Sequence, residues 1–541
     1  MNGTIPRLLG TMLVAVTVTS ACRVAADEPA VPAWQPFEAT FSSTLHADDP
    51  FGDVEVDVVF TSGTETWKVP AFWAGGDSWT VRFAPPKQGD YRYRVEVAGP
   101  ANGGFDAGER AFAATKPVGP GRLRRHGFPC VAADKRHFAH ADGTPFFWLG
   151  DTWWKCLSKR MSLDDVRELA ADRAAKGFSV VQIVVGPYPD EALLQPAWET
   201  DGGMPYLDRA FREVNLDAFA AIDRRIRSLV DAGLVPAIVG GWGRPQAGGT
   251  STLAQVGLDG FKRHWRHLVA RYGALPVIWI VGGEVKDAYG PWSEVAAFVK
   301  QVDPYGHPLC HHAPGDPRTT LRDQQAFDFD MVAIGHDGQT TVDKTLALVT
   351  ACRERGPRRP VVCGEACYER HMQTNFEDVQ RRLFWSLLLS GAAGHTYGAA
   401  GIWQAGVEGD PGIDPVYDWA TWREGMAYPG AVQLGLGRRL LEEYEWWRFE
   451  PRPDWCEEGC FAAGVPGEVR ILYRPKRKIY DWQGPVVKGI EPDVRYDAFY
   501  FDPVRGRRFD IGPVVAAAGE FKAPRLPAPQ DWVLVIQRPR E

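Results

Sequence analysis

The chain is poor in several features that mark common protein classes. Its 541 residues include only 9 Cys and 7 Met, and no Cys-x-x-Cys pair suggests a zinc site. It has no Gly-rich loop ending in Lys-Ser/Thr, the usual phosphate cradle. It has no Gly-x-Ser-x-Gly elbow, the mark of many ester and amide hydrolases. Beyond the N-terminus no apolar run approaches the roughly 20 residues that cross a bilayer. Cationic excess is missing too: 61 Lys and Arg face 68 Asp and Glu, a net charge of −7. That balance argues against a general nucleic-acid binder.

Tryptophan, by contrast, is plentiful, with 21 residues. Cores take some of these. A surplus suits a carbohydrate cleft, because an indole face covers the apolar C–H face of a sugar ring. The hydrophobic fraction of 45% and charged fraction of 24% are those of a soluble globular protein, and the length implies several domains.

Residues 1–26 read as an export signal. Arg7 is followed by the apolar stretch Leu8 to Ala21, and Val24-Ala25-Ala26 ends it before Asp27. This predicts a secreted or periplasmic protein. Cys22, after Thr19-Ser20-Ala21, offers an alternative as a lipid anchor, although the usual Leu three residues earlier is missing. Eight Cys follow the signal. Cys456 and Cys460 could close a small disulfide loop in an oxidising compartment, and Cys363 and Cys367 flank Glu365.

Residues 30–118 alternate with period two at Val54 to Phe60 and Tyr91 to Val97, with Trp79 to Phe83 between them, so a β-sandwich is expected. From 122 to 447 the rhythm changes to strand and helix. Eight short apolar runs begin near Phe146, Ser179, Val235, Val277, Leu309, Met331, Val361 and Gly394, with helical stretches between them. Ser162 and Gly177 punctuate a helix over 163–176, and Asn215 and Gly233 another. A recurrence of about 35 residues fits a (β/α)8 barrel. Residues 450–541 return to short strands, a second sandwich. The fold class is therefore a multidomain chain, a TIM barrel flanked by two β-sandwich domains.

Parallel barrels carry their sites where the strands end. The ends here supply Asp151 and Trp153, Tyr188, Trp242 and Arg244, Glu284, His311 and His312, His336, Glu365, and Tyr397. Two of them are glutamates that close apolar runs, Val277-Ile-Trp-Ile-Val-Gly-Gly-Glu284 and Val361-Val-Cys-Gly-Glu365. An ionised group beside such a run is costly unless it has a task. Glycosidic hydrolysis needs two carboxyl groups, one to protonate the leaving oxygen and one on the opposite face of the ring. Glu284 and Glu365, three strands apart, are the catalytic pair expected here. Asp151, Trp153, Tyr188, Trp242, His336 and Tyr397 are the expected substrate contacts. Adjacent strand residues face opposite ways, so at most one of His311 and His312 points inward. His264 and His267 fall on a helix away from the mouth and read as surface residues. Glu369 reads as a support for its loop. No metal or organic cofactor is implied, and the expected partner is an oligo- or polysaccharide.

The order of these elements is similar to the clan A retaining glycoside hydrolases. Phe147-Trp-Leu-Gly-Asp-Thr-Trp153, Trp279-Ile-Val-Gly-Gly-Glu284, Asp330-Met-Val-Ala-Ile-Gly-His336 and Gly364-Glu-Ala-Cys-Tyr-Glu369 together resemble the apiosidase-like family of glycoside hydrolases. Residues 33–100 resemble the sandwich that often precedes such barrels. Phe501-Asp-Pro-Val-Arg-Gly and Asp531-Trp-Val-Leu-Val resemble the "collagen-binding" type of sandwich that often follows them. The resemblance implies Glu284 as general acid/base and Glu365 as nucleophile. The family often has Asp where this chain has Glu284. Two alternatives to an exported glycosidase are a non-catalytic carbohydrate-binding scaffold and a barrel hydrolase acting on an ester or amide.

Overall fold

The structure is a computed structural model. Apart from Met1 it describes residues 30–44, 47–97, 104–106, 108–189, 191–244, 251–410 and 419–539. The expected signal and Cys22 lie outside the described residues. No described helix is long and apolar enough to cross a membrane.

Eight parallel strands close into a barrel in chain order: β1 Trp148–Thr152, β2 Val180–Val184, β3 Val235–Val239, β4 Ile278–Gly283, β5 Leu309–Pro314, β6 Asp330–Gly335, β7 Val361–Ala366 and β8 Gly394–Tyr397. Pairing of Trp148 with Gly394 and Asp151 with Tyr397 joins the last strand to the first. The strands are buried on both faces, as all-parallel sheets are, so they read as apolar runs rather than alternations. Local signals set the helices between them. Ser162 accepts from Asp165 N while Asp165 bonds back to the Ser162 backbone, a capping box at the start of helix Leu163–Lys176. That helix ends at Gly177 in the left-handed conformation, φ 93°. Asn215 caps Leu216–Asp231 by accepting from Asp217 N and Ala218 N.

A small antiparallel sheet of Pro129–Val131, Phe138–His140 and Pro145–Phe146 precedes the barrel. Phe138 packs 5.1 Å from Trp148 and 5.2 Å from Phe329 at the end where the strands begin.

Before the barrel, a five-stranded and a three-stranded sheet face each other over an aromatic core that includes Phe37, Phe60, Trp79, Phe83, Tyr93 and Phe112. This sandwich docks on two barrel helices through buried charges. Arg82 pairs with Asp223 at 2.7 Å and donates to the Arg271 carbonyl at 2.9 Å, while Arg271 also pairs with Asp223. His264 and His267 sit on the same layer and are buried, so the surface reading is corrected. His264 contacts Tyr206 Oη and the Gly240 carbonyl, each at 2.8 Å, and burial lowers its pKa to about 4. The helix Leu258–Tyr272 is covered on two sides, by the barrel and by the sandwich, and a lone helix pattern cannot reveal the second cover.

After the barrel comes a six-stranded antiparallel sheet: Glu450–Pro451, Phe461–Val465, Val469–Arg474, Trp532–Gln537, Asp497–Phe501 and Arg508–Pro513, in that spatial order. Alternation gives it two faces. Ile471, Tyr473, Val533 and Val535 join the barrel core, whereas Leu472, Trp532, Leu534 and Ile536 form a separate core with Val487 and Phe521 of a two-stranded ribbon. Arg381 and Asp531 weld sheet to barrel through two bonds, 2.8 and 2.7 Å, both groups buried. All eight described cysteines carry free thiols, so the possible Cys456–Cys460 loop is open in this structure. Each takes its own local partner, Cys456 the Pro453 carbonyl and Cys460 the Arg477 guanidinium.

Candidate active site

The chain leaves β4 through Glu284 and β7 through Glu365. Both side chains line one cleft of about 460 Å³ at the ends of the strands. Trp154, Trp242, His312, His336, Tyr368 and Trp403 form much of the rest of its wall.

Glu365 is held tightly. His336 Nε2 lies 3.1 Å from one carboxylate oxygen and His312 Nε2 lies 3.2 Å from the other. The second contact is an ion-pair approach rather than a well-aligned hydrogen bond. His336 Nδ1 accepts from Tyr368 N at 3.1 Å, so the ring proton belongs on Nε2, aimed at Glu365. Burial by itself pushes the Glu365 carboxyl up. The two imidazoles outweigh burial and hold it well below the usual carboxylate range. The group therefore remains ionised at neutral pH.

Glu284 has a different setting. Its side chain is 27% exposed against 16% for Glu365, and its nearest charge is Arg244 at 3.5 Å. Its backbone is left-handed, φ 48°, a conformation that costs a non-glycine residue roughly 1 kcal/mol or more. The surrounding backbone imposes that turn. Gly283 N donates to the Gly241 carbonyl at 3.0 Å, and Gly243 N to the Gly283 carbonyl at 2.7 Å. Gly283 is also where an indole comes closest, since a Cβ there would stand 2.1 Å from the Trp242 ring. The glycines beside the mouth thus admit tryptophan.

Of the expected substrate contacts, Trp242 and His336 line the cleft. Asp151, Trp153, Tyr188 and Tyr397 do not, and are corrected. Asp151 is buried and receives Arg173 Nε at 2.6 Å and Trp153 Nε1 at 2.8 Å. Asp151 and Tyr397 are register partners, so both face the helical layer, where Arg173 sits between them. Tyr397 Oη donates to Glu369 at 2.5 Å, and Tyr188 is sealed in the main core. Glu369 in turn accepts from Gly430 N at 3.0 Å, tying its loop to helix Pro429–Leu441.

The sequence reading missed Trp154, Tyr368, His371 and Trp403 as cleft residues. Trp154 and Tyr368 are next to residues already singled out, but both lie past the ends of their strands, where period-two alternation no longer applies, and the left-handed Cys367 breaks it just before Tyr368. Trp403 lies in an irregular loop after β8, where no periodicity applies. The adjacent histidines divide as expected: His312 faces the cleft, while His311 Nε2 meets Thr320 Oγ1 at 2.8 Å behind the strand. Among the described residues no group of three or more His, Cys, Asp or Glu could hold a metal ion.

Two carboxylates on the rim of a parallel barrel, one fixed as an anion and one open to solvent, make this a glycoside hydrolase by class. The sequence profile described as "Apiosidase-like, catalytic domain" matches residues 132–448, more than half the chain, and the chain belongs to that family. A domain of unknown function, DUF5060, matches residues 30–98. Among solved structures, a Bacteroides vulgatus ATCC 8482 protein described as a "putative glycoside hydrolase" aligns with a TM-score of 0.72 at 18% identity, covering 94% of this chain and 100% of its own. A glycoside hydrolase family 5 protein from the same organism aligns at 0.62 and 21%, covering 76% and 94%. At these identities the likeness is one of fold. No curated protein matches the chain.

Proposed function

We propose that the protein is an exported glycosidase that works by retaining double displacement. Glu365 attacks the anomeric carbon while Glu284, protonated, gives its proton to the departing oxygen. Glu284 then deprotonates the water that releases the glycosyl group. The observation that carries this reading is that both carboxylates line one cleft in unlike settings. A nucleophile must stay ionised, which the two imidazoles favour at Glu365. An acid/base must exchange protons with water twice per turnover, which the open position of Glu284 permits.

The substrate class is a side chain of a plant or algal polysaccharide. A smaller cleft of about 190 Å³ adjoins the first and shares Arg244, Glu284 and Pro314 with it. It adds Lys286 and Tyr289, so the leaving-group side offers two cations and an aromatic face, suited to an acidic polymer. Export rests on the N-terminal signal pattern.

The test is a screen of plant and algal polysaccharides, followed by kinetics on the substrate it identifies. Glu365→Gln is expected to fold normally and lose turnover by about a thousandfold or more. Glu284→Gln is expected to lose about a hundredfold to ten-thousandfold, with recovery on substrates whose leaving group needs no proton. Proton NMR of the first product should show the substrate's anomeric configuration. An inverted product, or full turnover in Glu365→Gln, rejects the scheme.

A further inference from the structure

A second cavity, of about 260 Å³, opens at the opposite end of the barrel, where the strands begin. Phe147, Val361 and Ala393, at or beside the first residues of β1, β7 and β8, line it. It shares no residue with the catalytic cleft. Its composition is unusual for a barrel floor. Five lining residues are Lys or Arg and one, Glu354, is acidic. Two half-buried indoles, Trp446 and Trp447, stand at 88° with centroids 6.0 Å apart, forming a corner.

Carboxylates nearby do not balance the cations. Glu450 serves two guanidiniums, Arg136 at 2.6 Å and Arg353 at 2.9 Å. Arg359 reaches Asp330 at 3.5 Å. Lys135 and Arg358 are exposed and make no ion pair among the described residues. Lys135 is presented by a tight turn, its backbone left-handed at φ 57° and its N–H on the Ala132 carbonyl at 2.9 Å. The plain alternative is that these cations offset the carbonyl ends of helices Gly338–Glu354, Glu377–Leu389 and Pro429–Leu441, which reach this face. That accounts for Arg353, on the last turn of its helix. It does not account for Lys135 on a hairpin turn, for Arg358 in the loop before β7, or for two indoles left half open.

We propose that this cavity is an ancillary binding site for an acidic sugar, a uronate-type residue of a polysaccharide. The indole corner covers the apolar face of the ring, and Lys135 and Arg358 receive its carboxylate. The volume lies below the roughly 300–1,000 Å³ of sites for drug-sized ligands, so one ring enters and the rest of the chain runs out over the surface. A polymer held here stays attached to the enzyme, which raises the local concentration of its free segments. The proposal does not depend on the roles of Glu284 and Glu365.

The test uses the full chain carrying Glu365→Gln, so that no turnover interferes. Titration calorimetry with a short oligogalacturonate is compared with cellohexaose and with inorganic phosphate. The expected result is binding of the oligogalacturonate that weakens with added salt, little binding of cellohexaose, and no displacement by phosphate at equal concentration. Adding Lys135→Ala and Arg358→Ala together is expected to weaken binding about tenfold or more, with the thermal midpoint unchanged. Trp447→Ala should weaken it independently of salt. Unchanged affinity in the double variant overturns the site, equal binding of cellohexaose overturns the charge selectivity, and displacement by phosphate reduces the cavity to a simple anion site and overturns the sugar assignment.

Discussion

Glu369 offers a measurement in which burial sets the sign and size of a pH effect. Its side chain is fully buried behind the loop that follows Glu365, accepting from Tyr397 Oη and Gly430 N. Burial is the largest influence and pushes the carboxyl from 4.5 up to about 7, against the downward pull of the two hydrogen bonds. In the unfolded chain the group titrates near its ordinary value. The folded protein therefore holds a proton that the unfolded chain releases between those two values. The stabilisation is complete below about pH 4.5, is lost as pH rises through about 7, and is constant above that. At 1.36 kcal/mol per pH unit the full effect is about 3 kcal/mol, of which about 2.5 falls between pH 5 and pH 8. Glu369→Gln keeps the shape and the acceptor oxygen but does not titrate. Guanidinium unfolding of both proteins at each pH, followed by tryptophan fluorescence, compares like with like because the flanking sheets contribute equally to both. The variant should gain about 2–3 kcal/mol on the parent in going from pH 5 to pH 8. A difference that does not change with pH, or that moves the other way, refutes the argument.

Two further outcomes follow from other contacts. His336→Ala removes the Nε2–H that points at Glu365, so activity should fall about tenfold to a hundredfold. The acid limb of the pH–rate profile should also move to higher pH, because the carboxylate protonates more easily, and a limb that stays in place would contradict the positioning role. Asp531→Ala leaves Arg381 buried without its carboxylate at the junction of barrel and C-terminal sheet. That should cost about 3–5 kcal/mol and expose the junction to limited proteolysis. An unchanged melting curve would show that the pair carries no weight there.

Much of the architecture was readable because its causes are local. Ser162 with Asp165, Asn215, and the left-handed Gly177 act within a few residues of themselves, so the helix limits they impose can be seen in the string. The barrel strands announced themselves because parallel strands covered on both faces must be apolar throughout. The same uniformity hid which way each residue at the strand ends faces. Asp151 and Tyr397 belong to neighbouring strands in equivalent register, and together they turned out to face Arg173. Trp154, one residue past the expected Trp153, reaches the cleft instead. His264 and His267 failed for a related reason: what buries them is distant in sequence, Tyr206 and the Gly240 carbonyl for His264, Phe51 and Phe72 for His267.

The sequence alone determined where the chain bends, which runs are buried, and that two glutamates each close a strand. Spacing, caps and hydropathy express short-range forces. Only the tertiary structure decided that Glu284 and Glu365 share a cleft, that two imidazoles from different strands hold one of them as an anion, and that cations and indoles from four separate segments meet beneath the barrel. Those outcomes depend on which distant residues become neighbours when the sheet closes on itself, and side-chain direction in a closed barrel follows from register, which no local pattern encodes.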